Sequence, residues 1–229
     1  MDEAVSALAA RLARRLKAVD GTICCAESCT GGLLSSTLTD LSGASSWYRQ
    51  SWVTYTNEAK HKHLGVSAEL LESHGAVSAE VALEMAKGAR ERAGTSLAIS
   101  ITGIAGPKAD ATEKPIGLVY VGVATPDGAR AKQARFGGSR QENKESFVTF
   151  ALQFAIYLWD YLRAKDAKAE AEDNERKELI RMREEEMRLK RVVDEAKAKA
   201  DAPWQDQVWS KSEDDRNIGG DVEWDDSAE

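Results

Sequence analysis

Residues 22–41, "TICCAESCTGGLLSSTLTDL", decide how the rest of the chain is read. TICCAE is an apolar run too short for a helix and suited to a buried strand. SCTGG then turns the chain, and LLSSTLTDL reads as a helix. A strand that passes through a glycine turn straight into a helix is the building unit of an α/β sheet.

The flanking sequence extends that pattern in both directions. Upstream, Val5, Leu8, Leu12 and Leu16 fall on one helical face, and Asp20-Gly21 ends the helix. Downstream, SWVTYT (51–56) carries the β-branched and aromatic residues of a strand, and a helix starts at Asn57. SAEVALEMAKGARERAG (78–94) is a helix closed by Gly94. SLAISITG (96–103) is a strand entering a second glycine-rich turn. IGLVYVGVAT (116–125) and ARAKQARF (129–136) flank Pro126-Asp127-Gly128 as a hairpin. RQENKESFVTFALQFAIYLWDYL (140–162) is the last helix of the body. Strands interleaved with helices plus one hairpin predict an α/β three-layer sandwich with a mixed sheet flanked by helices.

Charge divides the 229 residues into three stretches. Residues 1–162 carry 17 basic and 17 acidic side chains, so this body is formally neutral. Residues 163–200 carry 12 basic and 11 acidic ones without Gly or Pro, which predicts a charged helical extension. Residues 201–229 hold 10 acids against 2 bases, so the net charge of -7 resides in an acidic tail expected to be disordered. A neutral body lacks the basic footprint that phosphate-backbone binding needs, which excludes a nucleic-acid reader. No stretch reaches the length of a membrane span. The N-terminal helix has an Arg-bearing amphipathic look, but Asp2 and Glu3 argue against a transit peptide. Cys24, Cys25 and Cys29, an odd cluster with no second group to pair with, fit a reducing compartment, and a cytoplasmic location is expected.

The extension offers a possible contact surface. Leu179, Met182, Leu189, Val193 and Ala196 fall on one heptad seam that Glu186 interrupts, a marginal coiled coil. It reads either as a solvated single helix or as a helix for self-association or a protein partner. Trp204, Trp209 and Trp224 in the tail could anchor such a partner.

The chemistry has few candidates. A serine hydroxyl needs a neighbouring base, usually histidine, and the three histidines, His61, His63 and His74, show no triad or metal-ligand arrangement. Lysine is the other base, provided its pKa lies well below about 10.4. With Thr56 or Asn57 as N-cap, Lys60 falls in the first turn of a helix, where the macrodipole and partial burial both disfavour the ammonium. That turn ordinarily prefers acids, and a local rule broken is where functional residues gather. ESCTGG and TGIAGP both follow strands and leave backbone N–H groups free for an anion, so a ligand crevice is expected between them. Cys29 is a rival nucleophile at a helix start, read mainly as a small buried hydrophobe.

AESCTGG (26–32), VTYTNEAK (53–60), LGV (64–66), HGAVS (74–78), ITGIAGP (101–107) and EKPIG (113–117) together resemble the CinA carboxy-terminal domain, the nicotinamide-nucleotide amidase family. The resemblance runs from about residue 4 to 162 and does not extend into the helix and tail beyond. It implies an α/β fold that is often a homo-oligomer. It also implies hydrolysis of nicotinamide mononucleotide to nicotinate mononucleotide and ammonia, with no metal and no cofactor. Carried over by position, the catalytic residues are Ser45, Tyr55 and Lys60. The nucleotide-binding residues are Glu27, Ser28, Thr30, Gly31, Gly32, Asn57, Thr102, Gly103, Gly106 and Arg140. The fork of Arg140 suits a phosphate.

Three departures accompany the resemblance. Ala44 stands where the family has the first of two serines, Lys108-Ala109-Asp110-Ala111-Thr112 replaces a glycine-rich loop, and Ser139 replaces an acidic residue. Because the match is to the carboxy-terminal domain of the long CinA proteins, no associated pyrophosphatase activity is expected. Two other readings use the same residues: a catalytically inactive pyridine-nucleotide sensor, and a scaffold acting through the C-terminal helix and tail.

Overall fold

The computed structural model describes residues 3–108 and 114–200; the acidic tail with its three tryptophans, and part of the loop after Pro107, lie outside the described residues. In chain order the elements are α1 (Glu3–Lys17), β1 (Ile23–Glu27), α2 (Leu33–Thr39), β2 (Tyr48–Val53), α3 (Asn57–Leu64), α4 (Ala68–His74), α5 (Ala79–Ala93), β3 (Leu97–Gly103), β4 (Leu118–Thr125), β5 (Gly128–Arg135) and α6 (Arg140–Ala200), with a 3-10 turn over Ala44–Ser46. The sheet order is β2-β1-β3-β4-β5. The first three strands are parallel, β4 runs antiparallel to β3, and β5 turns back antiparallel to β4. This is the mixed sheet that the alternating pattern predicts. Thr125 and Gly128 face each other across Pro126-Asp127, so the hairpin closes on the tight turn expected of that sequence.

Strand alternation separates the two faces by size. Ile23, Cys25, Leu97, Ile99, Ile101, Val119, Val121 and Val123 point to a core shared with α1, α2 and the first part of α6. Cys24, Ala26, Ala98 and Ala124 point to α3, α4 and α5. Small side chains on that second face let α5 lie close against the sheet. Ser100 Oγ donates to Ala82 O at 2.6 Å, and a Cβ on Gly122 would stand 2.2 Å from that same oxygen.

Capping fixes the helix starts. Thr56, Ser67 and Ser78 each accept a backbone N–H at the head of α3, α4 and α5. The sequence reading omits α4, a seven-residue helix, and places β2 three residues late.

The chain divides into two compact units, Met1–Glu170 and Ala171–Glu229. In the second unit residues 171–200 are helical, and residues 171–199 are exposed. No helix among the described residues is long and apolar enough to cross a membrane.

Candidate functional site

The C-terminal ends of β1, β2 and β3 lie side by side, the position where open α/β sheets carry ligands. A cavity of ≈ 220 Å³ opens there, lined among others by Ser28, Cys29, Tyr55, Lys60, Lys108 and Arg140. Thr102, Gly103, Ile104, Ala105 and Gly106 supply its other wall. Three cations and no carboxylate face this space among the described residues, so the cavity suits an anion.

Lys60 is its chemical centre. Only 1% of the residue is exposed, although it sits on a short polar helix. Its Nζ lies 2.9 Å from Ser28 Oγ and 2.9 Å from Thr54 O. Burial pulls the ammonium pKa down from 10.5 to about 8, against a smaller upward pull from Cys29. No carboxylate among the described residues pairs with it to offset that burial, so an appreciable fraction of the amine is neutral near physiological pH. A neutral amine beside a serine hydroxyl can take its proton.

Ser28 follows β1 directly, and the turn behind it is held by Glu27. The buried Glu27 carboxylate accepts the N–H groups of Gly32 (3.0 Å), Leu34 (3.1 Å) and Ser35 (2.8 Å), and the Ser35 hydroxyl as well. Gly31 and Gly32 make this possible, with φ of 64° and 95°. Glu27, Thr30, Gly31 and Gly32 do not line the cavity. Their visible role is to build the turn that presents Ser28, whereas the resemblance carries them as nucleotide-binding positions. The two strand ends are tied together by Thr54, whose N–H donates to Glu27 O at 2.8 Å while its carbonyl accepts Lys60.

Other predicted residues divide clearly. Thr102, Gly103, Gly106 and Arg140 line the cavity, although the Thr102 hydroxyl is spent on Ala76 O at 2.7 Å. Arg140, the first residue of α6, donates to Tyr55 Oη at 2.6 Å and to Gly106 O. Tyr55 is 55% exposed and is thereby tied to Arg140; its hydroxyl makes no hydrogen bond to Lys60 or Ser28. Asn57 is exposed at the head of α3 and does not line the cavity. Ser45 is exposed in the 3-10 turn that precedes β2, whereas Lys60 sits beyond its far end. The six residues of β2 separate the two by about 17–20 Å. Within one chain the fold therefore brings Lys60 to Ser28 and not to Ser45. His61 is occupied with Val66 O at 2.8 Å.

Cys29 lines the cavity but is buried, and burial raises its thiol pKa to about 12. That leaves it protonated, and the helix start does not rescue it as a nucleophile.

Two contributors escape the sequence reading. Thr54 acts through its backbone carbonyl, which no side-chain pattern reveals. Asn143 is fully buried on α6 and donates to Ala105 O and Gly138 O, both at 3.1 Å. Arg140 and Asn143 thus hold the successive carbonyls of Gly106 and Ala105. The signal for Asn143 is a polar residue on the stripe that continues as Phe147 and Ala151, both buried.

Known proteins match the same part of the chain. The model of the CinA C-terminal domain family matches residues 5–158. The nicotinamide-nucleotide amidohydrolase PncC of Enterobacter agglomerans is 45% identical over 151 residues, 65% of this chain and 92% of that protein. A CinA-like protein of Geotalea daltonii is 46% identical over 143 residues, 62% of this chain but 33% of its own length; the chain thus spans about a third of that longer relative. Among solved structures, the competence/damage inducible protein CihA from Agrobacterium tumefaciens superposes with a TM-score of 0.67 at 38% identity, over 69% of this chain and 97% of that one. The mixed sheet, the two glycine turns and the family match agree over the same residues, and the chain belongs to the CinA C-terminal domain family.

Proposed function

We propose that the chain is an amidohydrolase that converts nicotinamide mononucleotide to nicotinate mononucleotide and ammonia, with Ser28 as nucleophile and Lys60 as its base. The observation that carries this reading is the buried amine of Lys60 at 2.9 Å from Ser28 Oγ, inside a cavity with cationic walls. The relationship to a PncC supports the substrate.

Neutral Lys60 takes the Ser28 proton as Oγ attacks the carboxamide carbon, and the C=O π pair moves onto oxygen to give a tetrahedral oxyanion with the C–N bond still intact. The donor offered to it is the N–H of Cys29, which follows Ser28, lines the cavity and is engaged by no main-chain carbonyl among the described residues. Collapse expels ammonia, which leaves with the proton held on Lys60. Water, deprotonated by the same amine, then cleaves the acyl ester and restores Ser28. Thr54 O aims the amine throughout. Arg140 and Lys108 take the phosphate end of the nucleotide, and Tyr55 steadies the guanidinium. The base reaches Ser28 directly, so no tyrosine relay is required.

The test is an ammonia-release assay on purified full-length protein with nicotinamide mononucleotide, product identity being checked by chromatography. Stoichiometric nicotinate mononucleotide and ammonia are expected. Saturable binding without turnover would instead establish the sensor reading, and neither binding nor turnover would remove the nucleotide from the account.

A further inference from the structure

The second unit contains a helical face whose side chains find no cover within it. Leu179, Met182, Leu189 and Val193 are between 50% and 67% exposed, and they recur with Glu186 and Ala196 at alternating steps of three and four. Taking Leu179 as position a of a heptad, the seam is Leu179, Met182, Glu186, Leu189, Val193 and Ala196. Five of the six are apolar. Most residues around the seam are charged, while Ile180, Met187 and Val192 add exposed apolar side chains beside it.

The charges beside the seam choose the occupant. Glu178, just before the first heptad, and Glu185 and Val192, which close the first and second, are the g positions, and the e positions are Arg183, Lys190 and Lys197. In a parallel, in-register pair each g residue faces the e residue five positions on in the other helix. That sets Glu178 against Arg183 and Glu185 against Lys190 of the second copy, twice over by symmetry. In an antiparallel pair g meets g and e meets e, which sets acid against acid and base against base. Glu186 is the one charged seam residue. Lys190 lies one turn further on the same helix and can offset it. A polar residue at a single a position costs stability but fixes register.

We infer that residues 178–197 form a parallel, in-register coiled coil with a second copy of this chain. The inference stands apart from the catalytic reading, since none of these residues belongs to the family match or the cavity.

Disulfide trapping in the full-length protein tests it. All three native cysteines are buried, so Leu189→Cys, at a d position, and Arg191→Cys, on the opposite face, each add one accessible thiol. Under mild oxidation L189C is expected to give a covalent dimer at least about tenfold faster than R191C, because seam pairing raises its effective concentration. Equal rates, or no dimer from L189C, would overturn the inference. Charge reversal supplies the second arm. Added to L189C, Glu178→Lys with Glu185→Lys makes both flanks basic, and Arg183→Glu with Lys190→Glu makes them acidic. Each is expected to lose the cross-link alone and to regain it when the two proteins are mixed. Cross-linking that ignores these changes would sink the charge-paired arrangement. A dimer formed through the body alone would leave L189C and R191C indistinguishable.

Discussion

Lys60 Nζ stands 2.9 Å from Ser28 Oγ, and the two residues reach each other only because β1 and β2 are parallel neighbours whose ends coincide. Ser28→Ala is therefore expected to reduce kcat by at least about a thousandfold, while Ser45→Ala leaves turnover within about twofold, since Ser45 lies in the exposed turn ahead of β2. Steady-state ammonia release with both variants checks this. The reverse pattern would return the nucleophile to Ser45.

The pH profile reports on Lys60. Its folded pKa of about 8 leaves roughly a tenth of the amine neutral at pH 7, so kcat/KM is expected to rise nearly tenfold per pH unit below 8 and then level off. Stability follows the same group. The folded pKa lies below the unfolded 10.5, so between pH 8 and 10.5 the folded chain binds fewer protons and gains stability as pH rises. Below pH 8 the buried cation costs up to about 3 kcal/mol. Lys60→Met should thus abolish turnover yet unfold no more easily than the parent at pH 7, with any advantage shrinking above pH 8. Chemical denaturation at pH 7 and 9.5 measures it; a variant markedly less stable at pH 7 would count against a costly buried ammonium.

Much of this fold is legible in the order of residues. TICCAE, SLAISITG and the Pro126-Asp127 hairpin announce the sheet, and Ser78 and Gly94 bracket α5 by cap chemistry alone. Lys60 is legible too, as a lysine in a first helical turn. Its partner is not: SCTGG and SGASS both offer a serine after a break, and only the directions of β1 and β2 place one beside the amine and the other at the far end. Glu27 reads as a polar residue in a binding motif because its capping of α2 spans a turn that must fold before any partner exists. Helix α4 is hidden by its length, seven residues being too few to establish a period.

In the proposed mechanism the anionic end of the substrate meets Arg140, whose guanidinium holds Gly106 O while Asn143 holds the preceding carbonyl of Ala105. Arg140→Met is expected to raise KM for nicotinamide mononucleotide by about 10- to 100-fold, the range of one or two charge-assisted hydrogen bonds, with a much smaller effect on nicotinamide riboside, which lacks the phosphate. Asn143→Leu leaves the carbonyls of Ala105 and Gly138 unpaired and should erode the same preference with Arg140 intact. Comparing kcat/KM for the two substrates checks both. An unchanged ratio in the Arg140 variant would move the phosphate elsewhere in the cavity.

Glu27 provides the last separation, between building the site and touching the substrate. Its carboxylate accepts three backbone N–H groups and the Ser35 hydroxyl, and it lies out of the cavity. Glu27→Gln keeps the shape but turns one acceptor into a donor that faces other donors. The expected cost is about 2–3 kcal/mol, a Tm fall of about 5–10 °C at 2–4 °C per kcal/mol. The Ser28 turn loosens with it, so kcat should fall while KM changes little, because no contact with bound nucleotide is lost. Ser35→Ala removes one of the four donors and should reproduce the direction at smaller size. A Glu27→Gln enzyme with unaltered Tm and a raised KM would instead show the carboxylate contacting the nucleotide, and the turn would need another support.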